Sequence, residues 1–151
     1  MKTTLSVLFL LFSFIVTSQS LPTIENEIFN TINNYKIKFN KNCVVINHDM
    51  SKSCEEHSVL MGTTEDLKHV SDFTKIIGKS EIIQYVVHSN NDFNKLSQKI
   101  LINFLNSPSH KKNIEETSTL MGVGVYMKKI ETVIDSETFT SYEVWVTIRF
   151  F

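Results

Sequence analysis

The 151-residue chain is sparing with the residues that announce a specialised class: two cysteines, two prolines, four glycines and one tryptophan. Its charge is balanced as well, 15 basic against 16 acidic side chains for a formal net charge of −1. That balance excludes the bulk electrostatic footprint of a nucleic-acid or anionic-membrane binder. No Cys-x-x-Cys pair is present for redox work, no Gly-x-Ser-x-Gly elbow for a serine hydrolase and no His-Glu-x-x-His helix for a metalloprotease. There is no internal repeat, low-complexity tract or interdomain linker. What is there is ordinary globular material, 42% hydrophobic and 11% aromatic, with eleven phenylalanines to fill a core.

The first twenty residues read as a cleavable export leader. Lys2 gives a short positive start, Leu5 through Val16 an apolar run too brief for a membrane span, and Ser18-Gln19-Ser20 a small, polar exit. Residues 21–151 are then one exported, secreted domain with no transmembrane segment in the mature chain. Export makes Cys43 and Cys54 a disulfide candidate, closing a short loop worth ~2 to 3 kcal/mol if unstrained; two buried thiols are the alternative.

The mature chain puts helices first and strands last. Ile24, Ile28, Ile32, Tyr35 and Phe39 recur at helical spacing over 23–39, with Glu25 and Glu27 at the favourable end of the dipole. Residues 43–46 form a short apolar strand. Asp49 caps a second helix, in which Met50, Cys54, Ser58 and Met61 share a face before Gly62 ends it. A third helix opens at Asn90 or Asn91, carries Phe93, Leu96, Ile100 and Phe104 on one side, and stops before Pro108. From Tyr142 to Phe150 the period becomes two, with Met121 to Lys128 as the partner strand and a hairpin at residues 135–138. Helices on both faces of a small antiparallel sheet make an α+β fold, a three-layer α/β/α sandwich.

Several strings together carry a family likeness. Asn106-Ser107-Pro108-Ser109-His110 follows the aromatic helix end and precedes Lys111-Lys112-Asn113-Ile114 and the Gly122-Val123-Gly124 strand start. Asn33-Asn34-Tyr35-Lys36 stands where an Asn-x-Tyr-Arg signature is expected on a first helix, with lysine for arginine. In this ordered set the chain resembles the bacterial branch of the CAP superfamily (cysteine-rich secretory protein, antigen 5, pathogenesis-related 1), also called the SCP domain. The resemblance implies the same sandwich and a central cavity lined by two histidines and usually two glutamates. His69, after the second helix, matches the first histidine. Glu81 matches the first glutamate without its glycine and asparagine neighbours, and His110, on a turn past the helix break, matches the second histidine. The second glutamate has no counterpart, because Phe104 is followed by Leu105, Asn106 and Ser107.

Two imidazoles and a carboxylate can hold a divalent metal such as zinc with an open position for water. Two functions follow. One is a secreted binding or interaction module with a His/Glu-lined cavity and a small apolar ligand, lipid or sterol, or a protein as partner. The other is a metal-dependent, peptidase-like hydrolase using His69, Glu81 and His110. Elsewhere, His57 beside Glu55 and Glu56 reads as part of a solvated helix face, His48 and His88 as loop residues, and Trp145 with Phe150 and Phe151 as sheet packing.

Overall fold

The structure, a computed structural model, describes residues 23–72, 74, 76–89 and 92–151. The leader expected at 1–20 lies outside the described residues, as do Asn90 and Asn91. Helix α1 spans Ile24–Lys38, with the Thr23 hydroxyl accepting from the Asn26 amide as N-cap. Strand β1 is only Val45–Ile46, shorter than the apolar run suggests, because Cys43 is exposed and Val44 is taken up by α1. There the Asn33 amide bonds both the carbonyl and the N–H of Val44 at 3.0 Å. Helix α2 covers His48–Thr64. Its cap is Asn47 rather than Asp49, with Oδ1 accepting from Met50 N at 2.9 Å. Gly62 does not end it, since Glu65 closes the helix in the left-handed conformation at φ 54°. Gly62 serves packing instead, because a Cβ there would overlap the ring of Tyr126.

Strand β2 is Ser80–His88, and helix α3, capped by Asp92, is Phe93–Leu105. Residues 108–115 form a further helix, α4 (Pro108–Glu115), so His110 sits in a first helical turn and not on an open turn. Proline at N1 explains the difference. It breaks α3 by restricting Ser107, yet its fixed φ suits the start of a new helix. Strands β3 (Leu120–Ile134) and β4 (Glu137–Phe150) are joined at Asp135-Ser136, both with positive φ (49° and 70°), the pattern of a two-residue type I′ turn.

The sheet order is β1-β3-β4-β2. β3 and β4 are antiparallel as expected, β2, which the sequence reading did not place in the sheet, pairs antiparallel with β4, and the short β1 adds a parallel edge to β3, so the sheet is mixed. Its two faces separate by strand alternation. Ile82 and Val86 of β2, Met121, Val123 and Val125 of β3, and Val144, Val146, Ile148 and Phe150 of β4 face α1, α3 and α4, forming the main core. The opposite face carries Glu81, Ile83, Arg149, Thr147, Trp145, Gly122 and Gly124, and α2 lies on it. The architecture is therefore an α+β three-layer sandwich.

Both cysteines are free thiols here, contrary to the expected bridge. Cys43 is exposed on the loop before β1, whereas Cys54 is buried beneath α2, where burial pushes its thiol up to about 12.

The α2 layer depends on absent side chains beneath it. A Cβ at Gly124 would overlap the backbone of Cys54 and Glu55, and one at Gly122 would overlap Met50. Gly124→Ala must therefore push α2 off the sheet. We expect it to cost about 3 kcal/mol, as overpacking against rigid backbone does, read as a lower urea midpoint with unchanged m-value.

Candidate functional site

Pairing of β2 with β4 and of β4 with β3 sets Glu81, Arg149 and Gly122 in one row across the sheet. Because residue 122 has no side chain, α2 comes down close enough to add Ser53 and His57 to that row. Glu81 and Arg149 are 4% and 1% exposed. Arg149 is the sole arginine of the chain, and it donates through Nε and Nη2 to Glu81 Oε2, both at 2.8 Å, and through Nη1 to Ser53 Oγ at 2.7 Å. The other carboxylate oxygen, Oε1, accepts from the Val70 amide at 3.1 Å and lies 3.1 Å from His69 Nδ1. His57 Nδ1 stands 3.3 Å from Oε2, within ion-pair distance but off the hydrogen-bonding axis, so it lacks an aligned partner. Burial by itself would push the Glu81 carboxyl up. The close imidazole of His57 and the bonds from Val70 and Arg149 outweigh it and hold the pKa down at about 2.

The structure thus places His69 against Glu81, and His110 is not among the groups bonded to Glu81. It projects from the first turn of α4, its ring edge-on to Phe104 at a centroid distance of 5.3 Å. Burial lowers its pKa, and the charge of nearby His69 lowers it further. Beside it runs an open groove of about 340 Å³ between β2, Leu67 and the junction of α3 with α4.

The position of α4 is fixed from α1. Lys36 is fully buried, and its ammonium donates to the Ile114 carbonyl at 2.6 Å and the Glu116 carbonyl at 3.2 Å. Tyr35 donates to Glu115 at 2.6 Å, which together with burial pushes the phenol up to about 12. Asn33 of the signature string therefore holds the segment before β1, and Tyr35 and Lys36 both hold the C-terminal end of α4.

For a metal, the available donors are few. Both Glu81 oxygens are occupied by protein donors, and His69 has its Nδ1 on Glu81, leaving only Nε2 to turn outward. Among the described residues no group of three or more His, Cys, Asp or Glu is placed to hold an ion. His69 and His110 alone fall short of the three protein ligands of a catalytic zinc site. The arrangement fits a carboxylate that orients an imidazole better than one that ligates a metal.

Sequence reasoning missed Arg149, His57 and Gln84. His57 is buried rather than solvated, and its spacing three residues past Cys54 and four before Met61 places it on the buried face. Arg149 lies on a strand covered on both sides, where a cation needs a partner. His88 also differs from its reading as a loop residue, since it ends β2 and is buried.

No family model matches the chain, and no curated protein matches it. Among solved structures it is similar to an extracellular protein containing a SCP domain from Bacillus anthracis str. Ames. The TM-score is 0.54 and the identity 20%, over 83% of this chain and 40% of that chain. It is also similar to an outer surface protein from Borrelia burgdorferi, with a TM-score of 0.45 and 18% identity, covering 80% of this chain and 88% of that one. The first likeness shows an SCP-like fold.

The depressed Glu81 carboxyl makes an acid prediction. Its folded value is below its unfolded value of 4.5, so its stabilisation is complete above pH 4.5 and is lost as pH falls towards about 2. Wild type should exceed Glu81→Gln in urea midpoint at neutral pH, with the gap closing over that acid range. A gap independent of pH would remove Glu81 from this role.

Proposed function

We propose that the protein is an exported SCP-fold binding module whose working surface is the groove beside His110, not a metal-dependent hydrolytic centre. The observation that carries this reading is the saturation of Glu81. A carboxylate held by Arg149, His69 and Val70 at about pKa 2 is a poor general base near neutral pH and has no oxygen left for a metal. Its chemistry is to fix the His69 ring and the segment after α2. The groove, by contrast, offers apolar walls from Leu67, Ile83 and Phe104 together with the polar side chains of Gln84, Asn103 and His110, the composition of a small-ligand or peptide site. Export is supported by the apolar leader pattern of residues 1–20 and by the extracellular description of the SCP-domain protein that shares the fold.

Elemental analysis of the purified mature protein tests the choice. We expect zinc and other divalent ions far below one equivalent per chain, and no change in that content in the His69→Ala, His110→Ala double variant. A stoichiometric ion that the double variant loses would replace this reading with the metal-dependent hydrolase.

A further inference from the structure

We propose that the groove beside His110 is a carboxylate-binding site, taking a ligand that carries a free carboxylate on an apolar stem, as the C-terminal residue of a peptide does. This rests on the groove being the working surface and adds the chemical class of what fills it.

Three independent features converge there. The first is an orphaned amide. Gln84, on β2, lines the groove and is only 8% exposed, yet its Nε2 and Oε1 are both buried without a hydrogen-bond partner. Its neighbours on the same face of β2 are Ile82 and Val86, so an apolar residue would suit the core better, and a buried amide that meets nothing is a cost to the fold. Both atoms are closed off from solvent, so a ligand in the groove supplies the missing partner by displacing the side chains over the amide.

The second is the start of α4. Ser107 is its N-cap residue but makes no side-chain cap bond, and its hydroxyl lies 3.3 Å from that of Ser109 instead. Pro108 has no N–H, so the first-turn amides of Ser109 and His110, which a helix leaves without internal partners, are the donors at this end. Ser107 and His110 both line the groove, so the positive end of α4 opens onto it.

The third is the edge of the sheet. Successive residues of a strand point to opposite faces, so a groove touching Ile83, Gln84 and Tyr85 together runs along the strand's outer edge. The only sheet neighbour of β2 among the described residues is β4, leaving that edge open to an added extended segment. No acidic side chain lines the groove, and Asn103 adds a second amide. The adjoining cleft, with Glu65 and Glu143, has the opposite character and would repel a carboxylate.

Calorimetric titration of the mature protein with acetyl-Gly-Val-Leu as free acid, with its C-terminal amide, and with hexanoate tests the site. The free acid should bind about tenfold or more tighter than the amide, the scale of a charge-assisted bond at a helix N-terminus. Gln84→Leu should raise the thermal midpoint, because it removes the orphaned amide, and weaken acid binding about tenfold. Gln84→Glu should abolish it. Gln84-dependent binding of hexanoate without the peptide supports the site and assigns it to small carboxylic acids. Equal affinity for acid and amide, no binding of either acid, or unchanged binding by Gln84→Leu overturns the proposal. None of these outcomes alters the metal content, so failure here is separable from failure of the binding-module reading.

Discussion

The buried ion pair between Arg149 and Glu81 is the constraint on which the α2 side of the molecule depends. Taking two charges out of water is costly, and the pair is tolerable only when nearly every donor and acceptor is used. Here that condition is met by four separate parts of the chain. Arg149 comes from the last strand, Glu81 from the edge strand and Ser53 from α2, while the segment after α2 contributes His69 and the Val70 amide. The ion pair thereby specifies the register of β2 against β4 and the depth at which α2 sits. Glycines 122 and 124 are the complement of this arrangement, since any side chain there would hold α2 away and admit water to the charges.

A second buried cation does the equivalent work on the other face. Lys36 of α1 reaches the last carbonyls of α4, the negative end of that helix, where a positive charge is favoured. Burial lowers the lysine's pKa, and carbonyl bonds offset the loss of water. An arginine would bring a planar fork; two carbonyls need only a point charge, so lysine satisfies the position. The two histidines highlighted by the family likeness are thus positioned from different sources, His69 by the carboxylate of Glu81 and His110 by the anchoring of α4. Their separation into a bonded cluster and an open groove follows from that division.

Much of the fold was legible because it rests on periodicity. The 3.6-residue spacing of Ile24, Ile28 and Ile32, and the alternation from Tyr142 to Phe150, are properties of the sequence that the core simply uses. Boundaries were less legible where tertiary contact overrides a local signal. Gly62 looks like a helix stop but exists to receive the Tyr126 ring, and Pro108 both breaks one helix and begins another. The site was half legible for a similar reason. His69 and Glu81 could be matched by position, whereas Arg149 and His57 become visible only when strand pairing and helix depth are known. The cysteine pair shows the limit of compartment arguments, since an oxidising compartment permits a bridge but only proximity makes one.

Polar groups in this interior fall into two kinds, and the distinction separates architecture from surface use. Glu81, Arg149 and Lys36 are saturated, and the Ser58 hydroxyl lies 2.9 Å from both Thr147 Oγ1 and the Gly124 carbonyl. Such groups hold elements together, and each has the partners its burial demands. Gln84 is the opposite case, a buried amide flanked along its row of β2 by Ile82 and Val86 and unmet at both atoms, and His88 at the end of the same row shares this at Nε2. Selection for stability alone favours leucine at such a position, because an apolar side chain of similar size fills the same volume without the desolvation cost. An unsatisfied amide at the open edge of the sheet, next to an uncapped helix start, is the feature that a ligand seated there would complete.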